Sequence, residues 1–145
     1  MDVVAELVAP CTPDELFVWV EDLDRYAEWL EIVDRSRRLD DGADGEPSWS
    51  VDLRGRIGPL SRSKRLRMVR TRHDAPKAVT FERLETDGRQ HSPWRLHAEV
   101  APSVEGSSLR MTLHYGGSLF GPLLERVLRD EIERSKGRLL ALIAR

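Results

Sequence analysis

Four histidines, His73, His91, His97 and His114, and one cysteine, Cys11, are the side chains here that most readily do metal, acid–base or thiolate chemistry. Their spacing does not support that use. No pair has the short Cys-x-x-Cys or His-x-x-x-His separation of a metal site. His97 and His114 fall on the polar phase of alternating segments, and His73 and His91 fall at expected turns, so all four are expected at the surface. Cys11 has no base near it in sequence and reads as structural. Gly116-Gly117 lacks the rest of a phosphate-loop fingerprint. The sequence therefore assigns no catalytic residue, no metal and no cofactor, and it leans away from an enzyme.

Glu131 stands apart. In a helix it falls between Val127, Leu128 and Ser135, on the apolar face. A carboxylate turned toward a core is costly unless it is paired or hydrogen-bonded. Two roles stay open: an ion pair with the basic stretch Arg62–Arg72, or a polar anchor in a mostly apolar pocket. Arg65 and Arg67 share one strand face, and Arg70 shares the other with Leu66 and Met68. The alternation alone does not say which face is inward.

The elements that must position these residues follow from hydrophobic period. Val3, Ala5, Leu7 and Ala9 alternate with Asp2, Val4, Glu6 and Val8, which predicts a strand over residues 2–9 with the first set facing inward. Thr12, Pro13 and Glu15 form an N-cap, a first-turn proline and a capping box, so a short helix follows. Tyr26, Trp29 and Leu30 mark a second short helix near 24–30. From about Ile32 to Tyr115 the period is near two, with turn-rich breaks at 56–59, 74–76, 87–88 and 103–108, predicting six or so antiparallel strands. The acidic stretch 40–47 reads as a loop. Beyond Gly116-Gly117-Ser118, a helix from 119 or 122 to 143 places Leu124, Val127, Leu128, Ile132, Leu139 and Leu142 on one face. At about 1.5 Å per residue it can cross a small domain.

With 145 residues, 40% hydrophobic and 33% charged, one globular domain spanning 1–145 is expected. Nothing at the N-terminus resembles a signal peptide, and no run is long and apolar enough to span a bilayer, so a cytoplasmic location is expected. The net charge of −2 hides an asymmetry. Residues 1–34 hold ten acids and one base, whereas residues 54–72 hold eight bases and no acid. The basic run lacks the interleaved aromatics of a single-strand nucleic-acid groove, and it reads as a strand face balancing the acidic third.

Several segments carry a family resemblance. They are Val8-Ala9-Pro10 with Thr12-Pro13-Asp14-Glu15-Leu16, then Asp22-Leu23-Asp24-Arg25-Tyr26-Ala27-Glu28-Trp29. Ser118-Leu119-Phe120-Gly121-Pro122 and Glu131-Ile132-Glu133-Arg134-Ser135 complete the set. Together with the element order they resemble the START-like (SRPBCC) superfamily, the polyketide cyclase/dehydrase and lipid transport group. The closest likeness is to an actinobacterial subgroup that includes toxins of toxin–antitoxin pairs. The resemblance implies an α+β helix-grip fold: a curved antiparallel sheet around a long C-terminal helix, with two short helices after the first strand. It implies an internal cavity for a small hydrophobic molecule such as a lipid or polyketide. An antitoxin partner, or a cyclase using Glu131 with Tyr115, are the alternatives. The expected pocket lining is Trp49, Val51, Leu53, Phe81, Trp94 and Leu96 from the first strands. Met111, Leu113, Tyr115, Val127, Leu128 and Glu131 complete it, with Trp19 and Trp29 near a lid.

Overall fold

The computed structural model describes residues 2–40, 45–57, 60–116 and 121–145, with side chains outside 55–62, 121–125 and 127. Residues 41–44 of the expected acidic loop, turn residues Gly58 and Pro59, and Gly117, Ser118 and Leu119 lie outside that description. The side chains of Arg62, Leu124 and Val127 do so as well.

Seven strands form one antiparallel sheet: β1 (Asp2–Ala9), β2 (Val33–Arg38), β3 (Ser48–Ile57), β4 (Leu60–Asp74), β5 (Ala78–Arg83), β6 (Trp94–Ser103) and β7 (Gly106–Tyr115). Their order across the sheet is β1-β7-β6-β5-β4-β3-β2, so only β1 leaves the order of a simple meander. Between β1 and β2 lie the helix α1 (Pro13–Phe17) and a 3-10 turn, Leu23–Glu28. The long helix α2 (Gly121–Ile143) closes the described fold and packs against β1 and β3.

Each element has a local cause. Thr12 caps α1 by accepting a hydrogen bond from the Glu15 amide at 3.2 Å, as the capping signature predicts. Alternation puts Val3, Leu109, Ala98, Val79, Leu66 and Val51 on the concave face. Register shifts between Arg70 and Arg72 on β4, and between Val33 and Arg35 on β2, mark bulges. A bulge adds bend and twist, which helps an open sheet curl around a helix.

On α2, Leu128 and Leu139 are fully buried, each stabilising the helix–sheet contact by roughly 1.5–3 kcal/mol. Arg126, Arg129, Asp130 and Glu133 are exposed. Polar contacts fix the helix's C-terminal half. Ser135 Oγ accepts the Glu31 amide at 2.9 Å, Arg134 pairs with Glu31 at 3.0 Å, and Arg138 donates to the Glu28 carbonyl at 3.1 Å. The opposite charges of the sequence also meet within the fold. Arg70 pairs with Asp22 at 2.9 Å, and Arg54 with Asp34 at 3.3 Å.

Candidate functional site

An apolar cavity lies between the concave sheet face, the 3-10 turn and α2. Its volume is about 80 Å³. That is room for a slender apolar group. Val3 and Ala5 of β1 form one wall and Met111 and Leu113 of β7 continue it. Val51, Leu53, Leu66 and Met68 form the opposite wall, while Leu23, Tyr26, Trp29, Leu30, Ile32 and Val33 cover one end. Leu128 and Ile132 of α2 face the sheet across it, and Trp94 and Leu96 of β6 complete the lining.

Every lining side chain is aliphatic, aromatic or a thioether. The polar atoms of two aromatics are already used. The Tyr26 hydroxyl donates to the Val20 carbonyl at 2.8 Å, and burial pushes its phenol well above the usual range. Trp29 Nε1 donates to the Trp19 carbonyl at 3.1 Å. Trp94 Nε1, in contrast, is buried with no hydrogen-bond partner among the described residues.

Of the residues expected from sequence, Val51, Leu53 and Leu128 edge the cavity, as do Trp94, Leu96, Met111 and Leu113. Trp49, Phe81 and Tyr115 are buried but pack behind the wall. Trp49 meets Phe81 edge-on at 5.5 Å and Tyr115 stacks on Trp94 at 5.3 Å. Ring-on-ring packing fills the space that each would otherwise open. Trp29 is on the wall, whereas Trp19 sits outside it under the Arg25 guanidinium, at 5.1 Å. The Val127 side chain lies outside the described residues. Ala5, Leu30 and Ile132 also border the cavity without having been expected there, although the periods of β1 and α2 turn Ala5 and Ile132 inward. That they edge a space instead of solid packing follows from how α2 and the 3-10 turn come together over the sheet.

Glu131 is buried but does not edge the cavity. Three arginines of β4 are engaged elsewhere. Arg65 pairs with Asp52, Arg70 with Asp22, and Arg67 donates to the Leu84 carbonyl. Of the roles open to Glu131, neither an ion pair with these three arginines nor a place on the cavity wall is seen, and its Oε2 is buried without a partner among the described residues. Burial, with Glu31 nearby, raises its pKa, and Arg134 offsets this in part. A carboxyl whose folded pKa is raised binds its proton more tightly in the folded state. Stability is then highest below the unfolded value and falls as pH rises through the folded one. Glu131→Leu is therefore expected to raise stability at pH 8 by about 1–3 kcal/mol, and by less at pH 4.5, in paired urea titrations.

The histidines and Cys11 stand apart from the cavity. His114 pairs with Asp2, His97 with Glu99, His91 with Asp87 and His73 with Glu21. His73 lies within β4 and stacks on Phe17, which corrects its expected turn position. Burial, together with Glu15, raises the Cys11 thiol, the opposite of an activated nucleophile. No group of three His, Cys, Asp or Glu among the described residues could hold a metal ion. No helix among them is long and apolar enough to cross a membrane.

Three comparisons place these features. A family model for polyketide cyclase/dehydrase and lipid transport matches residues 1–144. Toxin Rv0910 of Mycobacterium tuberculosis is 31% identical over 144 residues, covering 93% of this chain and 92% of the toxin. A START superfamily protein from Mycobacterium smegmatis superposes with a TM-score of 0.71 at 13% identity, covering 99% of this chain and 96% of its own. TTHA0849 from Thermus thermophilus gives 0.70 at 19% identity, covering 98% and 99%. At these identities the two structures speak for the fold alone.

Proposed function

The chain belongs to the polyketide cyclase/dehydrase and lipid transport family, and from that premise we propose that it binds a small hydrophobic molecule, lipid-like or polyketide-like, in its central cavity. The observation that carries this reading is the cavity wall, which offers apolar surface and no titratable side chain other than the Tyr26 phenol. Such a wall rewards desolvation of an apolar ligand by roughly 25 cal/mol per Å² buried. It has no obvious proton donor or acceptor for a cyclisation. Tyr115 lies behind Trp94, and Glu131 is off the wall.

Ala5, facing the cavity opposite Met111 in the β1–β7 register, gives a test. Wild-type protein is expected to take up the neutral dye N-phenyl-1-naphthylamine with a rise in fluorescence. Native mass spectrometry of freshly purified protein is expected to retain a copurified hydrophobic species. Ala5→Phe fills the space and is expected to cut dye uptake at least about tenfold, equivalent to 1.4 kcal/mol, while the protein remains folded. Absence of both dye uptake and copurified ligand in the wild type would count decisively against a container.

A second reading rests on the 31% identity to a protein named a toxin. It holds that the chain acts on a macromolecular target and is held in check by an antitoxin. Growth arrest on expression, relieved by a small protein encoded beside it, would support this reading. Unaltered growth would oppose it.

A further inference from the structure

A cation stands beside one edge of the apolar cavity. Lys64, Leu66 and Met68 alternate along β4 and so share its concave face. Lys64 is therefore the next inward position beyond two wall residues, opposite Leu53, a third, in the β3–β4 register. Its ammonium lies 5.9 Å from the centre of the Trp94 ring, which is itself part of the wall. Lys64 is itself exposed and stands next to the lining, not in it, and its ammonium makes a long 3.5 Å approach to Ser92 Oγ. The neighbouring cation, Arg83, is already held by Glu85 at 3.1 Å and by the Ser92 carbonyl at 3.2 Å. Partial desolvation and the nearby Arg83 push the Lys64 ammonium below its usual range. Beside it, Trp94 Nε1 is a buried donor without an acceptor among those residues. Unpaired buried donors are rare in folded proteins and commonly mark a place where a ligand or water completes the bonding. An apolar chamber, a cation at its rim and an unused N–H in the same ring form a layout that fits an amphiphile.

Resting on the proposed container function, we infer that the ligand is a single-tailed carboxylic acid. Its tail occupies the cavity and its carboxylate is held by the Lys64 ammonium and the Trp94 indole N–H. Charge-assisted hydrogen bonds are about twice as strong as neutral ones, and the rim is partly desolvated. The head group thus adds selectivity to an otherwise non-directional wall.

Decanoate and 1-decanol separate the head group from the tail. Below their aggregation limits and at pH 7.5, isothermal titration calorimetry of the wild type is expected to show decanoate binding at least about tenfold more tightly than decanol. Lys64→Met keeps the aliphatic stem and is expected to bring decanoate down to the affinity of decanol while leaving decanol unchanged. Trp94→Phe keeps a ring but removes the donor, and is expected to weaken decanoate severalfold more than decanol. Equal affinities in the wild type, or an unchanged ratio in Lys64→Met, would overturn the carboxylate assignment and leave the container standing. Binding of neither compound to folded wild type would overturn both.

Discussion

Trp49→Ala is expected to lower the free energy of unfolding by about 3–5 kcal/mol, the range for removing a fully buried indole from a core. Trp49 has no solvent exposure. On one side its ring meets Phe81 edge-on, with ring planes 81° apart. On the other, the Arg38 guanidinium lies 5.1 Å from its centre. Its Nε1 donates to the carboxylate of Asp24, which belongs to the 3-10 turn. That single residue therefore ties β3 to the segment that caps one end of the cavity. Alanine would leave a void the size of an indole and an Asp24 carboxylate without its donor. Trp49→Phe separates the two effects. It retains most of the ring volume, so the cost expected for it is about 1–2 kcal/mol, mainly the lost hydrogen bond and a smaller void. Urea unfolding followed by circular dichroism gives both values. A loss below about 1 kcal/mol for alanine, well under the range for emptying a core site, would mean that Trp49 does not fill the core as described.

The second large effect is expected at Gly106, for a backbone reason. Its φ is +133°, a region essentially restricted to glycine. A Cβ built there would lie 2.5 Å from the Ala9 carbonyl oxygen, 2.8 Å from the Cys11 nitrogen and 2.9 Å from the Cys11 oxygen. All three obstacles are main-chain atoms, so no rotamer change relieves the contact. The same junction is secured by Ser107, whose hydroxyl donates to the Cys11 carbonyl at 2.6 Å. Here β1 ends and the chain turns into α1, so displacing the contact would disturb the β1–β7 pairing that forms one cavity wall. Gly106→Ala is expected to cost at least about 3 kcal/mol, combining backbone strain with the clash. Gly88 provides the control. It also has a positive φ, +73°, but a Cβ there meets nothing within 4 Å. Gly88→Ala should therefore cost only about 1–2 kcal/mol, from the left-handed backbone alone. Thermal melts of the two variants side by side test the contrast, and equal losses would remove the steric argument at Gly106.

Much of the fold was legible because its signals are local. Strand β1 matches the alternation of Val3, Ala5, Leu7 and Ala9 residue for residue, and the Thr12 cap forms as the capping signature requires. The expected breaks at 74–76 and 103–108 mark where strands part, at 75–77 and 104–105, the second much tighter than expected because Gly106 already begins β7. The long helix ends at Ile143, as the periodicity predicts. The site was only partly legible. Inward phase identified residues that face the core, but it could not sort cavity lining from solid packing. Trp49, Phe81 and Tyr115 share the inward phase with Val51, Leu96 and Leu113. Their rings meet other rings, and so they fill space instead of bordering it.

Glu131 and Lys64 show the same division most clearly. Helical angle alone put Glu131 on the buried face, where it is, since a helix's period needs no partner to be expressed. Which charge it would meet depended on how β4 sits across the sheet from α2, and Arg65, Arg70 and Arg67 turned to Asp52, Asp22 and the Leu84 carbonyl instead. Lys64 lies within a basic run whose alternation leaves open which of its two strand faces is inward. Alternation divides that run between two faces, but only the pairing of β4 with β3 says which is which: Arg65 faces outward to Asp52, and Lys64, though exposed, lies on the face of Leu53 and Trp94. Periodicity, caps and turns act over a few residues and are written in the chain. Which long-range neighbours meet, and whether they leave a space between them, is a property of three-dimensional packing, and here only the curl of the sheet around α2 decided it.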